Sequence, residues 1–155
     1  MEPGRGIGTL VVVLALAPGG LAAQEPPVTS AAPRGTMAVG DTVRDSLTRH
    51  DPVLPAESTY AQQWRLRGRA GETVTIDLAS SAFDAYLFLL GPGVSTAPPQ
   101  DDDSGGRCNA RLTVRLPATG DYFIVATSSE RRATGAFTLT VTAGPKAVAL
   151  APCTR

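Results

Sequence analysis

The chain has 155 residues, with 14 Lys+Arg against 14 Asp+Glu, so no charge surplus directs it to nucleic acid or to anionic lipid. Two cysteines and one histidine, His50, exclude a CxxC…CxxC zinc site and any multi-histidine metal centre. Apolar residues make up 43% and aromatic residues 5%, enough for one modest core, and 16 glycines and 13 prolines punctuate the chain as an all-β protein requires.

Arg5 forms a short positive region before the apolar run Ile7 to Ala17, which Pro18-Gly19-Gly20 ends; Leu21-Ala22-Ala23 then supplies small residues before Gln24. This order predicts a secretory signal peptide over residues 1–23, removed from the mature protein. A membrane span needs about 20 apolar residues, and this run is too short for one. No cysteine lies near the cleavage position, which argues against a lipid anchor. Residues 24–36 carry three prolines and little to bury, and are expected to be a flexible lead-in.

From Met37 onward period-two alternation recurs between turn residues. Thr42 to Thr48 places Val43 and Leu47 on one side, and Thr59 to Leu66 aligns Tyr60, Gln62, Trp64 and Leu66. Between them, His50 to Pro55 reads as a proline-bounded connection. Glu72 to Leu78 is the cleanest half-buried strand, with Val74, Ile76 and Leu78 set against Thr73, Thr75 and Asp77. Ala85 to Leu90 is apolar on both faces and is expected to be a central, fully covered strand. Gly91 to Arg107 reads as a long loop containing Asp101-Asp102-Asp103-Ser104-Gly105-Gly106. Three more strands follow: Ala110 to Leu116, Asp121 to Thr127 and Gly135 to Thr142. About seven or eight short strands with no helical periodicity predict a two-sheet antiparallel β-sandwich over residues 37–143, jelly-roll-like or Ig-like, with a tail at 144–155.

Several blocks carry a family resemblance. They are Gly40-Asp41-Thr42-Val43, Gly71 to Leu78, Ser80 to Leu87, Asp101 to Gly105, Leu116 to Tyr122 and Thr134 to Leu139. In this order and spacing the chain resembles the bacterial pre-peptidase C-terminal domain. The resemblance implies a small β-sandwich without catalysis of its own, of the kind appended to secreted proteases. Such domains serve secretion, targeting, or binding of a substrate or surface. No protease accompanies the resembling region here, so the chain reads as a stand-alone exported copy.

The chemical candidates are few. His50-Asp51 with Ser46 and Ser58 lacks a GxSxG-like elbow, and a solvated loop histidine is the ordinary outcome. Asp84 with the 101–103 cluster as a glycosidase acid–base pair would need an aromatic-lined cleft, and none is indicated. Asp101, Asp102, Asp103 and Asp84 are candidate ligands for Ca²⁺, which takes six to eight oxygens; the EF-hand spacing is absent, and a solvated acidic loop capping local N–H groups is the competing reading. Arg65, Arg67 and Arg69, with Arg111 and Arg115, form either a basic surface or the ordinary salt-paired face of a sandwich. Cys108 and Cys153 are an even pair in a chain expected to reach an oxidising compartment, and a disulfide between them is expected; two free thiols are the alternative.

These readings converge on a secreted or periplasmic, non-enzymatic binding, targeting or adhesion module. Its expected partners are a protein or polysaccharide surface, an exported peptidase among them, with no nucleic acid and no membrane span in the mature form. No cofactor is assigned, and Ca²⁺ at the acidic loop is the one candidate. The alternative function is an inhibitor, chaperone or secretion partner of a separately encoded exported hydrolase.

Overall fold

The computed structural model describes residues 31–154; the expected signal peptide and residues 24–30 of the expected lead-in lie outside the described residues. Eleven strands are present among the described residues. They are β1 (Gly35–Met37), β2 (Thr42–Leu47), β3 (Val53–Leu54), β4 (Thr59–Tyr60), β5 (Gln62–Gly68) and β6 (Thr73–Ala79), then β7 (Ala85–Leu90), β8 (Gln100–Asp101), β9 (Ala110–Arg115), β10 (Gly120–Ser128) and β11 (Gly135–Ala143). The seven long strands are the seven that alternation predicts, and the other four are two or three residues each.

One sheet has the order β1-β5-β10-β7-β8 and the other β2-β11-β6-β9, with β3 and β4 forming a small hairpin. Successive long strands cross between the two sheets, so that β2, β6, β9 and β11 lie in one, and β5, β7 and β10 in the other. With β8 as the eighth strand, this double crossover is the jelly-roll form of the sandwich, which strand spacing left open against the Ig-like form. Every pairing is antiparallel except β1 with β5.

The core lies between the sheets. Val74, Ile76 and Leu78 of β6, Leu139 and Val141 of β11, and Leu66, Leu87, Leu89 and Ile124 from the opposite sheet are all fully buried. Each such side chain contributes about 1.5–3 kcal/mol relative to exposure. Phe83 is fully buried and meets Phe137 edge-on, with ring centroids 6.4 Å apart. At the far end Tyr122 is buried and its hydroxyl donates to the Ala118 carbonyl at 2.7 Å while accepting from the Ala118 N–H at 3.2 Å. This arrangement resembles the tyrosine corner of sandwich proteins, and it closes the turn before β10. Gly91 makes room for it: a Cβ there would lie 2.5 Å from Tyr122 Cδ1.

Three expectations change. The fold begins before Met37, because β1 runs parallel to β5 with Gly35 beside Trp64 and Met37 beside Leu66. A Cβ at Gly35 would stand 2.9 Å from Trp64 Cζ3, so glycine lets the backbone close over the indole, which is 7% exposed. Second, the 50–55 connection contains β3, which pairs with β4 and ends the strand expected over 59–66 at a break before β5. Third, β7 lies next to the sheet edge rather than at its centre. Its inward residues Ala85, Leu87 and Leu89 join the core, while Phe88 packs outward in a second cluster with Leu54, Ala61 and Val125.

Candidate functional site

Beyond β11 the tail is tied to the outward side of the four-stranded sheet. Thr75 Oγ1 donates to Gly144 O at 2.7 Å, and Lys146 Nζ meets Asp77 Oδ2 at 2.6 Å. Asp77 also holds Arg111 at 2.6 Å, and Arg111 in turn donates to Ala147 O at 2.7 Å. Further on, Ala149 N–H bonds Ser104 O at 2.9 Å and Arg107 N–H bonds Ala151 O at 3.0 Å. The expected disulfide between Cys108 and Cys153 completes the attachment, with Cα atoms 4.5 Å apart. Leu150, by contrast, is 93% exposed.

The four aspartates read as a calcium set are not brought together. Asp101 accepts from Ser104 N–H at 2.9 Å, Ser104 Oγ at 2.5 Å and Arg111 N–H at 2.8 Å, so its oxygens cap the loop and the start of β9. Asp102 and Asp103 are exposed on the loop. Asp84 stands instead at the disulfide, its Oδ2 lying 3.7 Å from Cys153 Sγ. Among the described residues, Asp84, Cys108 and Cys153 are the one group of three whose ligand atoms lie within 4.8 Å of one another, and both sulfurs are bonded to each other. Asp102 does act electrostatically: burial, with Glu57 and Asp102 nearby, raises the pKa of Tyr86, whose hydroxyl donates to Gln100 Oε1 at 2.6 Å.

The arginines also separate. Arg65 and Arg67 approach Asp121 at 4.0 and 3.6 Å on the five-stranded sheet, whereas Arg111 pairs with Asp77 on the other. The Asp51 carboxylate accepts from Thr48 N–H at 2.7 Å and from Gln62 Nε2 at 3.2 Å, so it braces a turn. His50 is exposed, and its N–H bonds Thr48 Oγ1 at 3.3 Å.

The feature that these elements do build is a groove at the end of the four-stranded sheet. A depression of about 760 Å³ is lined by Ser81, Arg107, Asn109, Pro152 and Thr154 among others. A second of about 400 Å³ is lined by Arg44, Asp45, Ser81 and Thr138. The two adjoin at Ala79, Ser80 and Ser81, and together they make up the channel. Its walls are braced from within: Ser80 N–H bonds Asn109 Oδ1 at 3.0 Å, and Ser80 Oγ donates to Ala136 O at 2.8 Å. Arg107 and Cys108 have φ of 55° and 60°, a left-handed conformation that costs a non-glycine residue on the order of 1 kcal/mol. The disulfide and the Arg107–Ala151 bond hold them there. At the other end burial would raise the Asp45 carboxyl, but Arg34 at 3.0 Å and the Ser46 N–H at 2.7 Å outweigh it and hold the group below its ordinary value. Sequence reading missed this channel because Arg44, Ser81, Arg107, Thr138 and Thr154 come from separate segments, with no motif joining them.

No protein-family model matches the sequence, and no curated protein does. Solved structures do superpose on the chain. A pre-peptidase C-terminal domain of collagenase from Bacillus anthracis superposes with a TM-score of 0.56 at 10% identity, over 72% of this chain and 98% of that one. PliG from Aeromonas hydrophila, a periplasmic inhibitor of g-type lysozyme, superposes at 0.49 with 19% identity, over 73% and 100%. Salmonella Typhimurium PliG gives 0.47 with 16% identity, over 71% and 98%. The chain therefore has the fold of a pre-peptidase C-terminal domain, as the order of its sequence blocks implies.

Proposed function

We propose that this protein is an exported, non-catalytic β-sandwich module that binds a partner or a surface through the channel at Ser80–Ser81. The observation that carries this reading is the channel itself, a preorganised depression on a fold shared with a domain of a collagenase. Its rim is covalently fixed by the Cys108–Cys153 bond, which fits an oxidising compartment. Small polar side chains line it, and such a surface suits recognition better than bond cleavage.

The test is retention of the disulfide-intact protein on a panel of collagen, chitin, peptidoglycan and purified exported hydrolases, beside the variant Ser81→Trp. Ser81 is exposed, so the indole fills the channel without entering the core. Saturable retention on one panel member, lost in Ser81→Trp at unchanged melting temperature, is the expected result. Turnover of a panel substrate by the pure protein, or equal retention of both forms, would overturn it. Specific capture of one hydrolase with loss of that enzyme's activity would replace it with the inhibitor reading.

A further inference from the structure

The channel crosses the strands instead of following them. Arg44 of β2 stands opposite Thr138 of β11, and Thr138 stands opposite Ala79 of β6. Their neighbours Phe137 and Leu78 face the core, so this row lies on the outer face. The next strand begins with Ala110 beside Leu78, so Asn109 continues the row, and Arg107 lines the same end two residues further along the chain. Neighbouring strands lie about 4.8 Å apart, so the three steps from β2 to the β9 line set Arg44 about 14 Å from Asn109, with Arg107 in the turn just before it.

An arginine stands at each end, and neither is neutralised. Arg44 and Arg107 make no ion pair among the described residues, whereas Arg34, Arg65, Arg67, Arg111 and Lys146 all do. Asp45, the carboxylate that lines the channel, is already held by Arg34 at 3.0 Å. Between the arginines the lining is small and polar, with Ser81, Thr138, Asn109 and Thr154, and its one aromatic residue, Phe137, is 3% exposed. That leaves no ring face on which a sugar could stack.

We propose that the channel takes an extended acidic peptide with two carboxylates four residues apart. The proposal rests on the binding-module reading above. An extended chain rises about 3.3 Å per residue and returns to the same face at every second one, so side chains i and i+4 point the same way about 13 Å apart. That is close to the spacing of the outermost strand lines, and the long arginine side chains at the two ends span the remainder. Each guanidinium then meets one carboxylate in the two-pronged geometry that arginine favours. The left-handed backbone at Arg107 and Cys108, locked by the disulfide, holds one prong in place before the ligand arrives.

Fluorescence anisotropy with labelled nonapeptides tests this. One peptide carries Glu at positions i and i+4 in a Ser/Thr/Ala background, and the other carries the same two Glu side by side. The spaced peptide is expected to bind the oxidised protein about tenfold more tightly, the worth of one charge-assisted pair. Arg44→Gln and Arg107→Gln should each remove about that factor and leave the melting temperature in place, since both side chains are on the surface. Arg44→Glu should regain affinity for a peptide in which the matching Glu is Lys. Equal affinity for the two spacings, or indifference to both Gln variants, would overturn the proposal. Tighter binding of polygalacturonate at the same arginines would replace the peptide with an acidic polysaccharide. If neither peptide binds while Ser81→Trp still abolishes retention on a panel ligand, the peptide proposal falls and the module reading stands. If Ser81→Trp changes nothing, both fall.

Discussion

Reducing the Cys108–Cys153 bond perturbs the fold at a point where the cost can be worked out. The two residues are 45 apart in sequence. Closing a loop of that length removes about 13 cal/mol/K from the unfolded chain by the loop-entropy relation, or about 4 kcal/mol at 25 °C. Domains of this size are stable by only about 5–15 kcal/mol, so the bond accounts for a large share. Comparing the protein with and without a dithiol reductant keeps every side chain the same, whereas a serine at position 108 would place a hydroxyl where exposure is 2%. With a urea slope of about 2 kcal/mol/M, the midpoint should fall by about 2 M, and the slope should rise as the freed unfolded chain expands. Amide exchange should report the same event locally. The Arg107 and Ala149 amides, which bond Ala151 O and Ser104 O, should lose protection, while amides shared by β6 and β11 keep theirs at low denaturant. Superimposable urea curves, with thiol titration confirming full reduction, would refute the reasoning. Two titratable thiols in the untreated protein would refute the bond itself.

Other perturbations separate packing, hydrogen bonding and charge. Trp64→Ala empties a site that is 7% exposed beneath Gly35 and should cost about 3–5 kcal/mol in chemical denaturation; native-like stability would mean that the inward face of β5 is misassigned. Tyr122→Phe keeps the ring but strands the Ala118 N–H and carbonyl, so a loss of about 1–3 kcal/mol is expected, and no change in melting temperature would show that the corner is maintained by packing alone. Arg34→Ala should destabilise by up to about 1 kcal/mol at pH 7, or about 4 °C, because the guanidinium is half exposed. Asp45 sits below its unfolded value of about 3.9, so its contribution is complete above that pH and is lost as the pH falls through the folded-state value. The gap between wild type and Arg34→Ala should therefore close on acidification from pH 4 to pH 2, and a constant gap would assign the effect to the backbone at β1.

Period-two alternation is a local property, and it determined what is local in this protein. The inward sets Val74, Ile76, Leu78 and Phe137, Leu139, Val141 were legible from side-chain order, because a strand must turn successive residues to opposite faces. The cysteine pair was legible from its parity and the expected compartment. What remained undecided were features whose partner lies in another part of the chain. A strand of two or three residues, such as β1, β3, β4 or β8, has too few positions to show a period and exists because a neighbour's N–H and C=O groups are at hand. The acidic loop offers three carboxylates adjacent in sequence, and only the fold shows that Asp101 accepts from Ser104 and Arg111 and that Asp84 lies at the disulfide. Residue order left the arginines open between one basic surface and an ordinary salt-paired face, and the crossover order sent Arg65 and Arg111 to different sheets, each beside an aspartate. Arg44 and Arg107 line adjoining depressions for the same reason: strand order, which depends on how the two sheets close over a shared core, decides which distant segments become neighbours.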